Sequence, residues 1–368
     1  MGLTSKKVLL LAVIAAVVLF VATVWLWPRL SKRSLPAVLG RVGMMLFTQL
    51  SMIAALGLAA NYSFGFYASW ADLFGQESEP GVVVNHSAAA DRLQVVGHKY
   101  VNVPGGSVPK TGGQIQKVVF HGGASDITTQ AYVYLPPEYF QDARRTFPAS
   151  VILTGYPGTA EALFKKMKYP SIAHQQVLDG RARPTILIMM RPTVAPPRDT
   201  ECMDIPGGPQ TETFFTKDLR AAVSGHFRVG TNARNWGIMG DSTGGYCALK
   251  LTMRHPEAYS TAVGLSADYK APHDRTTGDL FGGDQKLELQ NNLPWRLENL
   301  PHPPVNLLVT SSRKGEPNYR ATMKLIGAAK APTHMSSIIL ESGGHNFNTW
   351  GREIPPALEW LSSRLSDR

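Results

Sequence analysis

The sequence predicts an α/β fold, a mostly parallel sheet covered by helices on both faces, preceded by one or two apolar N-terminal segments. Three observations predict it. From Gln114 onward, apolar β-runs alternate with stretches of helical character. Gly240-Asp241-Ser242-Thr243-Gly244 stands between one such run and a helical stretch. The first 71 residues hold two long runs without charge and no acid at all.

Val8–Trp27 is uncharged throughout, long enough to span a bilayer and longer than the apolar region of most signal peptides. Trp25 and Trp27 at its end suit a membrane interface. A second uncharged run, Val42–Ala71, is less apolar, with Gln49 and Asn61, and ends in Tyr62, Phe64, Phe66, Tyr67 and Trp70. It reads as a second span over residues 42–68; the alternatives are an interfacial segment or a signal-like region cut near Ala60. The loop between the runs carries Arg29, Lys32, Arg33 and Arg41, against Lys6 and Lys7 in the tail. No Lys or Arg occurs from Asp72 to Asp91, so the positive-inside bias puts the loop in the cytoplasm and the rest of the chain outside. Residues 1–71 are thus expected to be a membrane anchor, with spans over 8–27 and 42–68, residues 72–113 a Gly-, Ser- and Pro-rich linker with a loose entry to the next domain, and residues 114–368 the α/β domain.

Within that domain Ile115–His121 and Gln130–Leu135 suggest a strand pair, and Ala149–Thr154 and Thr185–Met190 buried strands. Helices are expected over Glu161–Leu178 and Thr213–His226. The run before Ser242, a helix from Cys247 to His255 and a strand Tyr259–Ser266 come next. Val305–Thr310, Tyr319–Lys330, Ser336–Glu341 and Pro355–Leu365 complete the series as strand, helix, strand, helix.

The net charge of +10 comes largely from the anchor: six basic residues lie in the first 71, leaving +4 for the rest. That distribution argues against a nucleic-acid partner and for membrane flanks. Cys202 and Cys247 are the only cysteines, too few for a disulfide framework or a four-thiolate metal site; they form either one disulfide or two separate buried thiols. No metal or organic cofactor is implied.

The Gly-x-Ser-x-Gly pattern fits a nucleophile elbow, a turn too tight for side chains two residues either side of the serine. It lifts the Ser242 hydroxyl into the open and lets the Thr243 N–H face a developing oxyanion. A serine of this kind needs a base held by an acid, on loops after later strands. His345 is the one histidine of ten placed after the final predicted strand, in Gly343-Gly344-His345. Glu316 is the only carboxylate between Val305–Thr310 and the next strand, and Asp268, after Tyr259–Ser266, is the alternative acid. The second oxyanion donor is expected from Gly155-Tyr156-Pro157-Gly158; Pro157 has no N–H, which leaves Tyr156. Arg198–Asp204 should lie on the rim of the site, where its three acids either bind a cation or a sugar hydroxyl or simply face solvent. Tyr269–Leu300, with Leu280, Phe281 and Trp295, is expected to be a cap over the serine or a scaffold.

Gly240–Tyr246 and Gly343–Trp350, taken together, resemble the esterase branch of the α/β-hydrolases that includes esterase D and the secreted mycolyltransferases of the antigen 85 complex. The resemblance runs from about Gln114 to the C-terminus and leaves out the anchor. It implies an α/β-hydrolase fold and a triad of Ser242, Glu316 and His345, with a tryptophan, Trp350, shortly after the histidine. It also implies the backbone amides of Thr243 and Tyr156 as oxyanion donors. Two departures are evident. Thr154 stands where the mycolyltransferases carry an aspartate that helps bind trehalose, and Asp241-Ser242-Thr243 replaces their His-Ser-Met.

The expectation is therefore a membrane-anchored, extracytoplasmic serine esterase acting on an acyl ester or lipid. The alternatives are an acyltransferase of mycolyltransferase type acting on envelope lipids or glycolipids, and a non-catalytic envelope binding protein that keeps the fold.

Overall fold

The computed structural model describes residues 6–31, 34–64, 92–101 and 112–367. The chain divides into two compact units, Met1–Val83 and Val84–Arg368. In the first, helix α1 (Lys6–Leu26) and helix α2 (Leu35–Phe64) are joined through a 3-10 turn, Trp27–Leu30. Both helices are long and apolar enough to cross a membrane. Their apolar side chains, Leu10, Val17, Phe20, Leu46, Phe47 and Ile53 among them, are exposed, a surface that lipid accepts and water does not. The helices meet through the hydroxyls of Thr23 and Thr48, 2.8 Å apart. Arg29 lies over the Trp25 ring at 4.0 Å. Of the aromatic end predicted for the second span, Phe66, Tyr67 and Trp70 lie outside the described residues, as does most of the predicted linker.

The second unit is built on a nine-stranded sheet in the order β1-β2-β3-β5-β4-β6-β7-β8-β9. The strands are β1 (Leu93–Tyr100), β2 (Gln114–His121), β3 (Thr128–Leu135), β4 (Ala149–Leu153), β5 (Ile186–Met190), β6 (Trp236–Asp241), β7 (Thr261–Leu265), β8 (Asn306–Lys314) and β9 (His334–Ser342). Strands β4 to β9 run parallel, and β1 to β3 form an antiparallel wing on β5. Successive side chains on the central strands go to opposite cores, as the period of two requires. Val151, Leu153, Ile188 and Met190 join one core, while Ile152, Leu187 and Met189 join the other. Burial on both faces explains why these strands are nearly continuous apolar runs. The order, with helices on both faces, is that of an α/β-hydrolase.

The structure corrects the sequence reading in several places. Strand β1 lies in the stretch 72–113 expected to be linker, so the sheet begins ahead of residue 114. It is an edge strand: Leu93 is buried, most of the rest is half-buried or exposed, and a bulge interrupts its register between Val95 and Gly97. Such a strand has little of the alternation that marks a half-buried one. The helix expected over Glu161–Leu178 is two, α3 (Ala160–Lys165) and α4 (Tyr169–Leu178). They are separated at Lys168, whose φ of 54° is left-handed, and α4 restarts with Pro170 in its first turn, where no helical N–H is needed. Helices α5 (Leu219–His226), α6 (Thr243–Arg254), α7 (Gln285–Asn291), α8 (Leu293–Asn299) and α9 (Tyr319–Ala328) follow in turn. The last helix, α10 (Phe347–Arg364), starts well before the expected Pro355 and holds Pro355 and Pro356 inside it. Its true start is set by Asn346, whose side chain accepts from the N–H groups of Asn348 and Thr349.

The excursion between β7 and β8 is scaffold. Leu280, Phe281, Leu293 and Leu297 are buried in the larger core, and the Tyr246 hydroxyl on α6 donates to the Asn291 carbonyl at 2.8 Å.

Cys202 and Cys247 are both fully buried and form a disulfide that ties the Arg198–Asp204 loop to α6. The bond spans 45 residues of sequence. Closing a loop of that length restricts the unfolded chain by about 4 kcal/mol in the chain-entropy picture. The Cys202→Ser/Cys247→Ser protein is accordingly expected to melt roughly 10 °C lower than wild type. Calorimetry on the two proteins checks this, and melting points within about 2 °C of each other would contradict it.

Candidate active site

The serine comes first. Strand β6 is buried from Trp236 to Asp241, and α6 starts at Thr243, so Ser242 alone makes the turn between them. Its φ and ψ of 52° and −122° are costly for a residue with a side chain. The conformation is held by packing on both sides. A Cβ on Gly240 would stand 2.4 Å from the Gly244 carbonyl carbon, and one on Gly244 would stand 2.5 Å from the Thr154 oxygen. The glycines therefore let strand, turn and helix close to backbone contact, and the Ser242 N–H donates to the Leu265 carbonyl at 3.0 Å.

The histidine comes from the loop after β9, the edge strand three positions from β6 in the sheet. After β9, Gly343 and Gly344 turn the chain and Asn346 starts α10, which leaves His345 at the apex. Its Nε2 lies 2.9 Å from the Ser242 Oγ. The Trp350 ring packs edge-on against the imidazole, with centroids 5.2 Å apart. Its indole N–H donates to the Ser266 hydroxyl at 3.0 Å.

Neither candidate acid is hydrogen-bonded to His345, whose Nδ1 has no partner among the described residues. Glu316 is buried. One oxygen accepts from the Ser266 hydroxyl and the other, Oε2, is buried without a partner. Its loop touches the histidine loop directly. Gly315 has a φ of 98°, and a Cβ there would meet the Gly343 oxygen at 2.3 Å, so only glycine permits the approach. Asp268 is exposed by surface area, yet desolvation in the cleft raises its pKa, opposed by the charge of His345.

The two amides expected to form the oxyanion hole have no acceptor among the described residues. Thr243 opens α6, where an N–H has no helical partner. The Tyr156 N–H also donates to nothing among the described residues. Gly155 brings that loop onto the elbow: a Cβ there would lie 3.0 Å from the Ser242 Cβ.

Several polar groups beneath the site were not marked by the sequence reading. Ser266, itself at a left-handed φ of 44°, links Trp350, Glu316 and, through its N–H, the Thr310 hydroxyl. Thr310 in turn donates to Glu353 at 2.7 Å, whose carboxyl is pushed up to about 8 by burial. Ser266 closes a strand with no motif around it, and Glu353 precedes the two prolines that mislead on the start of α10.

Asp241, the residue before the serine, is fully buried. Burial pushes its carboxyl up to about 7, although one oxygen accepts from the Gly155 N–H at 2.9 Å. Its folded pKa lies above its unfolded value, so the folded chain keeps a proton that the unfolded chain releases. Stability is therefore full below about pH 4 and falls as pH rises toward 7, by up to ~4 kcal/mol from this group. Asp241→Asn removes the titration. Its melting temperature relative to wild type is expected to rise by several degrees between about pH 5 and pH 8. A difference that does not change with pH would contradict the assignment.

The rim loop is buried, unlike the solvated loop among the readings of its sequence. Asp199 and Glu201 are almost wholly inaccessible. Burial, then the neighbouring Asp199, pushes the Glu201 carboxyl up to about 9. The buried Lys250 of α6 donates to the Glu201 and Cys202 carbonyls at 2.6 and 2.9 Å. Asp204 accepts from the N–H and hydroxyl of Thr213. Among the described residues no group of three or more His, Cys, Asp or Glu side chains is arranged to hold a metal ion.

Comparison with known proteins follows the same outline. The profile of a family described as "Putative esterase" matches residues 124–361. An uncharacterized protein of Corynebacterium glutamicum is 25% identical over 279 residues, covering 68% of this chain and 62% of its own length. This chain thus spans less than two thirds of that relative. Among solved structures, a ferulic acid esterase superposes with a TM-score of 0.59 at 15% identity, covering 68% of this chain and 98% of its own. An S-formylglutathione hydrolase from Agrobacterium tumefaciens superposes with a TM-score of 0.57 at 16% identity, covering 69% and 96%. A fluorophosphonate-binding serine hydrolase, FphF of Staphylococcus aureus, gives 0.54 at 15% identity, covering 68% and 98%. At these identities the likeness is one of fold.

Proposed function

This chain belongs to the Putative esterase family, and on that premise we propose that it is a serine carboxylic-ester hydrolase, anchored in a membrane with its catalytic unit outside the cytoplasm. One observation carries the chemistry: the His345 Nε2 at 2.9 Å from the hydroxyl of a serine held on a strained elbow.

In this reading Ser242 Oγ attacks the ester carbonyl carbon while His345 Nε2 takes its proton. The oxyanion is met by the N–H groups of Thr243 and Tyr156; in sites of this kind the loss of one donor costs roughly 100-fold or more. The bond to the alcohol then breaks, and His345 returns the proton to the leaving oxygen. Water, deprotonated by His345, attacks the acyl-enzyme, releasing the acid and restoring Ser242. Glu316 orients and stabilises the imidazolium, with Asp268 as the rival for that part. Support for Glu316 is its buried, unpartnered oxygen and the contact of its loop with the histidine loop. Transfer of the acyl group to another alcohol in place of water would use the same intermediate.

Two features support the location. The Cys202–Cys247 disulfide belongs to an oxidising compartment. The basic residues between the two apolar helices favour a cytoplasmic loop, which puts residues after the second helix outside. Protease treatment of intact cells, without the outer layers that would shield the surface, tests this. Degradation of the catalytic unit is expected, and its protection until the membrane is opened would overturn the topology.

A further inference from the structure

Beside the site lies a second opening that the chemistry above does not use. It is a cleft of about 420 Å³, lined by Thr128, Gln130, Thr159, Glu161, Arg191 and Val194 among others. These residues come from the start of β3, the end of the loop that carries Tyr156, and the chain leaving β5. All three meet at the edge of the sheet where Ser242 stands.

Strand register places the strand that leads to the cleft near the strand that leads to the serine. Leu153 on β4 pairs with Met190 on one side and with Gly240 on the other. Met190 and Gly240 are thus two strand spacings apart, roughly 10 Å. Arg191 follows Met190 directly, and Ser242 follows Gly240 by two residues. The segment between them is one loop, with Gly155 packed on Ser242 at its near end and Thr159 and Glu161 in the cleft wall at its far end.

The cleft has two charged groups in different situations. Glu161 accepts a hydrogen bond from the Tyr132 hydroxyl at 2.5 Å. Arg191 is exposed and has neither an ion-pair nor a hydrogen-bond partner among the described residues. A guanidinium cannot shed its charge, and its planar fork matches a carboxylate or phosphate with two parallel hydrogen bonds. The hydroxyl of Thr159 and the amide of Gln130 add neutral donors to the lining, while the Thr128 hydroxyl is shared with His121 Nδ1 at 3.3 Å.

We propose that this cleft is a subsite for one oxyanionic group, a carboxylate or a phosphate, which the substrate carries at the end remote from its scissile carbonyl and Arg191 receives. The charge of Glu161 limits the subsite to a single anionic group at the Arg191 end. The inference rests on the esterase reading above.

The test compares kcat/KM of the full-length protein in detergent on three sets of 4-nitrophenyl esters. These are monoesters of dicarboxylic acids of increasing length, esters of ω-phosphorylated acids of the same lengths, and the neutral methyl-capped analogues. Wild type is expected to favour an anionic ester over its neutral analogue by about 10- to 100-fold, with an optimum at intermediate length. Whichever anionic set shows the larger ratio identifies the group. Arg191→Ala and Arg191→Gln should bring the ratio near one, and Arg191→Lys should restore part of it. The ratio is internal to each protein, so a loss of folded enzyme does not imitate the effect. No anionic preference in wild type at any length, or a ratio unchanged by all three replacements, would overturn the proposal. Absence of turnover on every ester would instead strike the esterase reading. The subsite is then judged by calorimetry of the free dicarboxylate and of the phosphorylated acid with Ser242→Ala, where binding that Arg191→Ala does not abolish, or no binding, counts against it.

Discussion

Replacing Ser242 with alanine is expected to lower ester turnover by about 10,000- to 1,000,000-fold while the protein stays folded. The size follows from the chemistry, since no other hydroxyl is recorded within hydrogen-bonding distance of His345 among the described residues. Folding should survive because the conformation of the elbow is held by backbone contacts at Gly240 and Gly244 and by the Ser242 N–H bond to Leu265, none of which involves the hydroxyl. His345→Ala should cost a comparable factor, and the double replacement little more than either single one, because base and nucleophile act as a unit. Initial rates on a short-chain 4-nitrophenyl ester, with circular dichroism as the folding check, measure all three. A folded Ser242→Ala protein within about tenfold of wild type would mean that the hydrolysis belongs to another group. If wild type itself is folded and inert toward esters, the reading of a non-catalytic binding protein takes precedence.

The second large effect separates the two acids. Glu316→Gln is expected to reduce kcat by about 1,000- to 10,000-fold, the scale seen when a triad carboxylate becomes an amide and the imidazole is left in the wrong tautomer. Asp268→Asn is expected to cost less than about tenfold. The expectation rests on position. Glu316 is buried, has one unpartnered oxygen, and lies on a loop that Gly315 brings against Gly343, two residues before the histidine. Asp268 is exposed by surface area and, although the charge of His345 acts on it, makes no hydrogen bond to the imidazole. In the structure the Glu316 carboxylate accepts from Ser266 and is not hydrogen-bonded to His345, so the proposed role requires one of these side chains to move. Ser266→Ala releases that contact. A change in the pH profile of kcat in this variant, with Glu316 intact, would identify Ser266 as a positioning residue. A large loss with Asp268→Asn and a small one with Glu316→Gln would reverse the assignment.

The parallel core was legible because its strands are buried on both faces. Ala149–Leu153, Ile186–Met190 and Trp236–Asp241 are compact runs whose type and approximate position are set by local sequence. The elbow was legible for a similar reason: two glycines at fixed offsets from a serine are demanded by backbone contacts only a few residues away in sequence. The edge strand Leu93–Tyr100 was not, since most of it is only partly buried and its pairing depends on β2. The start of α10 was obscured by Pro355 and Pro356, which resemble a first turn, while the cap at Asn346 looks like any loop asparagine. The groups under the site were hidden for a different reason. Ser266, Thr310 and Glu353 come from three different parts of the chain, and only the folded sheet puts them in contact with one another and with Glu316. Arg191 likewise shows nothing in sequence beyond a charge at a strand end, until the cleft beside it is formed.

The central claim is that Ser242 is the residue that becomes acylated. The measurement that tests it most directly is peptide mapping by mass spectrometry after brief labelling of the full-length protein with a fluorophosphonate. The account predicts one phosphonate on the peptide that contains Ser242, and none when His345 is replaced by alanine. A folded protein that hydrolyses esters and carries the phosphonate on any other residue would contradict it.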